Sequence, residues 1–491
     1  MSLLGIDIGT TGCKASVFDP EGRTLASAYR EYDVIRTRPG QAELDSREVW
    51  DKIGQVIGDC AASTKDITAL TATSMGEAMV PVDRNGSLCG NSVLGTDTRG
   101  NRYQERLLAA VGRAELYRLT GQPANGGYAL PNLVRIKAEE PELYRTTAKF
   151  LPWADFVTFM LTGEFQANYS LAARTLLFDR EKLNWSEPLL QVAGLDADKL
   201  PPPIPSGRPL GRIRPSQARQ LHLPAAVQIV SGSHDQCAAA LGTGGCEPGT
   251  AMLGLGTYAC MVLVHRRPEP EGPFGRLGLN IEPASVPGQY VSFIYHGSGG
   301  ALIKWLRREM FRDLPDEKVY ERMNEELAAA RYPTVVFPYF DETGPLDYAS
   351  GGQGAIAGLS LAHSRADILK GAMEGVIFYF KDALAQLKHG GCPVGRLQVS
   401  GGGAESPFWR QMIADILDVP VVKPQVRECG ALGAALTAGV ATGVFASYAE
   451  ATERTVKLVE IRRPESPADY EQDFLSYCRL KSGGLASKLS E

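Results

Sequence analysis

The chain opens on a short run of apolar positions. Ser2–Ile8 alternates into a strand, and Gly9–Gly12 (GTTG) breaks it with a turn. Cys13–Phe18 predicts a second strand, Asp19–Gly22 (DPEG) a second turn, and Arg23–Glu31 a third strand. The period then changes. Ser46–Ser63 has apolar residues at helical spacing behind a Ser-Arg-Glu start, and Ile67–Ser74 returns to a strand. The order is strand, strand, strand, helix, strand.

The second half repeats the plan. Thr250–Leu255 predicts a strand, Gly256–Thr257 a turn, and Tyr258–Val264 a strand. A long helix over Ser364–Lys388 follows, then a strand at Arg396–Ser400, a glycine turn at Gly401–Gly403 and a helix at Pro407–Leu417. Two copies of one topology imply a duplicated α/β domain. The boundary is expected at Gly244–Pro248, dividing the chain into 1–245 and 246–491. Pro- and Gly-rich Leu200–Pro215 reads as a loop, and Ser482–Glu491 as a loose tail.

Length agrees with two domains, because 491 residues exceed what one core holds, about 250–300. The net charge of −5, with no basic stripe, argues against a nucleic-acid partner. The start, MSLLGIDIGT, carries no secretory signal pattern. The uncharged stretch Cys429–Ala449 is Ala-, Gly- and Thr-rich, too weakly hydrophobic for a membrane span and suited to a tightly packed helix. Nine scattered cysteines and only six histidines argue against zinc and for a reducing compartment, so a cytoplasmic protein is expected.

Four segments carry candidate chemistry. In GIDIGTTGCKA (5–15) a small-residue turn lets backbone N–H groups approach an anion, and Asp7 could hold Mg²⁺ through water. The same residues also describe an ordinary hairpin. LGLGTYACM (253–261) repeats the signal, so two hairpins could clamp one polyphosphate. In LQVSGGGAESPFW (397–409) a strand runs into three glycines, where no side chain blocks a flat ligand such as a nucleoside. In VQIVSGSHDQCAAALG (227–242), Asp235 stands between strand and helix. It reads equally as a helix cap or as a general base at the carboxyl end of a strand.

Together with GAIAGLSLAHSRADILKGAMEG (354–375), these segments resemble the FGGY family of carbohydrate kinases in order and spacing over nearly the whole chain. The resemblance implies an α/β fold of two duplicated actin-like (ribonuclease-H-like) domains with a cleft between them. It implies ATP- and Mg²⁺-dependent phosphorylation of a sugar or polyol hydroxyl. On it, Asp235 matches the catalytic base and Asp7 the acid near Mg²⁺. Thr10 and Thr11 match the first phosphate turn, Gly256 and Thr257 the second, and Gly401, Gly402, Gly403 and Ala404 the adenosine site. Glu77, Asp97 and Arg99 fall in the segments that hold the sugar. Four departures stand out: Gly95 replaces a common Trp, PNLVR (131–135) lacks the family's Lys and Trp, DETGP (341–345) replaces Gly-Glu-Arg-Thr-Pro, and Gly371 replaces Ala or Ser. A ketopentose such as xylulose is the lead substrate, with glycerol-like polyols, other ketoses and gluconate open. The rival class is a non-catalytic, actin-like nucleotide-binding protein.

His234 reads either as a substrate or base-tuning group or as a turn filler, and His296 as site lining or the lead into a helix. Lys14 reads as a phosphate contact or an exposed strand lysine, Cys237 and Cys260 as small apolar packing, and Gly439/Gly443 as a close-packed helix face. Sugar or polyol and ATP are the expected small-molecule partners, no membrane partner is expected, and a homodimer stays open.

Overall fold

The computed structural model describes residues 1–124, 127–313, 318–346, 354–389 and 392–482. All but the first residue of the expected tail lies outside them. The first sheet runs, edge to edge, Pro209–Arg212, Gln228–His234, Ile67–Ser74, Ser2–Ile8, Gly12–Phe18, Thr24–Glu31. Its hairpin strands are antiparallel, whereas Ser2–Ile8, Ile67–Ser74 and Gln228–His234 run parallel. The second sheet runs Glu282–Pro283, Tyr290–His296, Ala259–His265, Thr250–Leu255, Arg396–Ser400, Val421–Pro424, Leu458–Arg462.

Each of the six strands of the first sheet has a counterpart in the second, which adds Glu282–Pro283 at one edge. Ser2–Ile8 and Thr250–Leu255 each pair antiparallel with the next strand and parallel with the strand after the long helix. Those helices are Ser46–Ser63 and Arg365–His389. The central strands are almost wholly buried, which a sheet covered on both faces requires. The parallel strands of each sheet end at the turns that carry candidate chemistry: Gly76–Glu77 and His234–Asp235 in the first, Gly401–Gly403 in the second.

The halves meet through helix Cys429–Ala441, which packs on helix Asp235–Gly242 and against Ser2–Ile8 of the first sheet. The uncharged stretch of the sequence thus becomes a buried helix, and no described helix is long and apolar enough to cross a membrane. The helix sits very close to its neighbours. A Cβ at Gly433 would lie 1.8 Å from the Ala238 carbonyl oxygen, and one at Gly5 would lie 1.8 Å from that of Ala431. Gly433→Ala would ordinarily favour a helix by roughly 0.5–1 kcal/mol. Here overpacking of about 1–3 kcal/mol outweighs that gain. The variant is expected to melt at a lower temperature by calorimetry, and an unchanged melt would mean the helices seat more loosely.

Two expectations are corrected. Leu200–Pro215 is not all loop: Pro209–Arg212 pairs antiparallel with Gln228–His234 as an edge strand, where a leading proline needs no ladder donor. Gly443 is not on a helix face. The helix ends at Ala441, and Gly443 follows its cap at φ +77°, while Gly439 alone makes the close contact, against Phe445 and Leu3.

Candidate active site

Asp235 is the first residue of helix Asp235–Gly242, and the capping position belongs to His234, whose side chain makes no cap bond. The approach is locked from both sides. Thr73 Oγ1 donates to the Ser233 carbonyl at 2.7 Å, and the His234 backbone N–H donates to Ser170 Oγ at 2.8 Å. The Asp235 side chain keeps 26% of its surface open, and that face looks into a cavity of about 890 Å³.

The first half contributes Thr10, Glu77, Asp97, Arg174, His234 and Asp235 to this cavity. The second half contributes Cys260, Asn280, Phe293, Tyr295 and Glu342, the last from the departing DETGP loop. Five of the charged groups, at and just behind the wall, form an alternating row. Glu77 accepts from Arg174 Nε at 2.8 Å, and the Arg174 guanidinium lies 3.8 Å from Glu282 Oε2. Glu282 Oε1 is 2.8 Å from His234 Nδ1, and His234 Nε2 is 3.2 Å from Asp235 Oδ1. Arg174 also lies over the Tyr128 ring at 4.8 Å.

The electrostatics follow from that row. Burial raises the Asp235 carboxyl above its ordinary range; His234 opposes this and Glu77 adds to it. Burial disfavours the His234 imidazolium, but Glu282 and then Asp235 outweigh it and push the group to about 8. Burial likewise disfavours a charged Arg174, and Glu77 overcomes it, so the guanidinium stays charged. Burial pushes the Cys237 and Cys260 thiols up, the latter to about 12, so neither is a thiolate.

Asp7 is raised to about 7, chiefly by burial and then by Asp235. No hydrogen bond reaches its carboxylate among the described residues, and a Cβ at Gly430 would come within 2.4 Å of Oδ2. Two neighbouring carboxylates with raised affinity for positive charge, one cradled by a glycine, fit a divalent cation. Lys14 instead pairs with Glu428. His234, Cys237 and Glu282 also place three donor atoms within 4.8 Å of one another. Glu282 Oε1 already bonds His234 at 2.8 Å and Cys237 Sγ at 3.4 Å, and the Arg174 cation beside it opposes a metal there.

The second cavity, about 1250 Å³, is lined by Gly256, Thr257, Lys304, Gly402, Gly403 and Trp409 among others. Gly401 takes φ +84° to turn the chain, and Ala404 is buried behind the turn. The turn at Gly256–Tyr258 touches residues of both cavities. Gly256 and Thr257 face the larger, and the Tyr258 hydroxyl meets Glu342 of the smaller at 3.2 Å.

The remaining sequence candidates fall as follows. Thr10 lines the smaller cavity, and Thr11 uses its carbonyl to accept from the Tyr32 N–H at 3.2 Å. Asp97 lines the smaller cavity while accepting from the Ala42 N–H at 2.9 Å. The Arg99 guanidinium is taken up by Asp97 and Glu43, so it braces the wall from behind. His296 is buried between Tyr339 and Tyr379, and burial drops it to about 3. Sequence reasoning missed Arg174, Glu282, Tyr128 and Tyr295. The one available signal was a lone arginine inside the apolar run LAARTLLF (171–178).

Comparison with known proteins gives the same picture. Residues 2–242 match the FGGY family of carbohydrate kinases, N-terminal domain, and residues 251–442 match the C-terminal domain. The chain is 26% identical over 464 residues to a xylulose kinase of Bacillus subtilis (strain 168), covering 93% of this chain and 91% of the relative. It is 30% identical over 480 residues to a glycerol kinase of Symbiobacterium thermophilum, covering 92% of each. The crystal structure of a xylulose kinase from Rhodospirillum rubrum shares its fold, with a TM-score of 0.90 over 99% of both chains at 24% identity. With both halves matched in order, the chain belongs to the FGGY family of carbohydrate kinases: it is a sugar kinase using ATP, with a two-domain, actin-like (ribonuclease-H-like) α/β fold.

Proposed function

We propose that the protein transfers the γ-phosphoryl group of ATP to a hydroxyl of a neutral sugar or polyol, with a ketopentose such as xylulose as lead substrate. Residues 1–245 hold the sugar and the base, and residues 246–491 hold the nucleotide. The observation that carries this reading is Asp235, open to a cavity whose wall residue Glu342 meets Tyr258, next to the Gly256–Thr257 turn that lines a larger cavity together with Gly402–Gly403.

In this reading the attacking hydroxyl loses its proton to Asp235 as its oxygen bonds to the γ-phosphorus. The bond from that phosphorus to the bridging oxygen of ADP breaks. Glu77 accepts from a sugar hydroxyl, Asp97, its buried carboxylate engaged by Arg99 and the Ala42 N–H, shapes the wall beside it, and the turns at Thr10–Thr11 and Gly256–Thr257 align the polyphosphate. Mg²⁺, held by Asp7, would neutralise phosphate charge when bound.

Neutrality of the substrate is argued from the charges. Glu77, Asp97, Asp235 and Glu342 line the cavity, and the Arg174 guanidinium already faces both Glu77 and Glu282. A sugar carboxylate would meet repulsion and no unpaired arginine. The relatives named for xylulose favour the ketopentose. The test is ADP release across ketopentoses, polyols and sugar acids. Turnover is expected with a neutral substrate, and a preference for gluconate would overturn the neutral assignment. ATP binding with no turnover on any sugar would favour the nucleotide-switch class.

A further inference from the structure

A ketose and the polyol made by reducing it differ at one group, and the two groups ask for different partners. A hydroxyl can donate to a carboxylate, whereas a carbonyl oxygen carries no hydrogen and only accepts. Glu77, Asp97, Asp235 and Glu342 line the smaller cavity and offer acceptors, and two basic side chains, Arg174 and His234, line it as well. Each His234 ring nitrogen already has a carboxylate oxygen beside it, at 2.8 Å and 3.2 Å.

Arg174 spends only part of its guanidinium fork. Nε and Nη2 both donate to Glu77 Oε1, the first at 2.8 Å, and that pairing balances the charge. Among the described residues no hydrogen bond reaches Arg174 Nη1 or Glu77 Oε2. The carboxylate oxygen facing Nη1, Glu282 Oε2, stands off at 3.8 Å. A donor and an acceptor are thus left over side by side on the cavity wall.

We propose that Arg174 is a specificity-determining residue for an open-chain ketose: Nη1 donates to the carbonyl oxygen of the substrate while Glu77 Oε2 accepts from the hydroxyl on the neighbouring carbon. The role rests on the reading of this cavity as the sugar site. Its geometry is fixed by neighbours. The guanidinium lies over the Tyr128 ring at 4.8 Å, and the side chain keeps 15% of its surface open. Its stem passes where residue 76 has no side chain, since a Cβ at Gly76 would fall 2.5 Å from Arg174 Cγ. Glu77 gains room in the same way at Gly95, where a Cβ would fall 3.1 Å from Glu77 Cβ. A substrate hydroxyl beside Nη1 could turn its hydrogen toward a carboxylate and so does not depend on this donor; a carbonyl oxygen does.

The experiment measures kcat/KM for a 2-ketopentose and for the pentitol made by reducing its carbonyl, in wild type, Arg174→Lys and Gly76→Ala. Lysine keeps a charge beside Glu77 but replaces the planar fork with one nitrogen. Gly76→Ala keeps the guanidinium and displaces its stem. Wild type is expected to favour the ketopentose. Each variant is expected to lose about tenfold or more on the ketopentose, the usual contribution of a hydrogen bond to a charged group, and less on the pentitol, so the ratio between the sugars falls. KM for ATP should stay unchanged. Calorimetric titration with each sugar gives the same comparison without turnover, and melting temperatures recorded in parallel separate a site effect from a folding one. If one variant fails to fold, the other variant and the wild-type comparison decide. Equal losses on both sugars would mean that Arg174 only balances charge, and would overturn the role. A wild type that uses the pentitol as well as the ketopentose overturns it too, and both results leave the neutral-substrate reading intact. If wild type turns over no neutral sugar, that reading fails and the role of Arg174 fails with it.

Discussion

Asp235→Asn is expected to fold, bind ATP and lose about 10²–10⁴-fold of its sugar phosphorylation, the usual contribution of a positioned general base. The substitution is nearly isosteric. The bonds that hold the strand end, from Thr73 Oγ1 and to Ser170 Oγ, do not involve the Asp235 side chain, so the strand end and the helix start are undisturbed. Only the capacity to take a proton is lost. Because the capping position belongs to His234, the variant does not also remove a helix cap. Steady-state turnover with unfolding measured in parallel separates chemistry from stability. Turnover near wild type would return Asp235 to a structural role.

Gly402→Val is expected to raise the KM for ATP by about tenfold or more while leaving that for sugar nearly unchanged, a loss of about 1.4 kcal/mol in nucleotide binding. The three glycines of this turn are not equivalent tests. A Cβ at Gly403 would fall 2.6 Å from the Trp409 ring, and Gly401 has φ +84° with the Leu255 carbonyl 2.8 Å from such a Cβ. Substituting either would distort the turn itself. At Gly402 a Cβ meets nothing within 4 Å and points into open space beside the larger cavity. A branched side chain there displaces ligand and not protein. Initial rates against ATP and sugar settle the point, and a KM for ATP equal to that of the wild type would remove the nucleoside from this turn.

The sequence is legible where a signal is local. Short apolar runs bounded by turn residues located the strands Ser2–Ile8 and Ile67–Ser74, the helical period located Ser46–Ser63, and Gly-Thr and triple-Gly turns located the loops at the strand ends. Asp7, Asp235 and Gly401–Ala404 are visible for the same reason, since each lies within a few residues of a strand end. Leu200–Pro215 misled because proline and glycine mark edge strands as well as loops.

What the sequence by itself determined is therefore the duplicated order of strands, turns and helices and the short stretches that end in chemistry. The tertiary structure alone decided which distant residues complete the site. Arg174 and Glu77 are 97 positions apart, and Glu282 and His234 are 48 apart, with no periodicity or spacing linking them. A lone arginine in an apolar run carries no role until a carboxylate is brought against it. The same holds for Arg99, which lies in a sugar-pocket segment yet spends its guanidinium on Asp97 and Glu43. Charges act over a few ångströms in a buried site, and only the folded chain sets those distances.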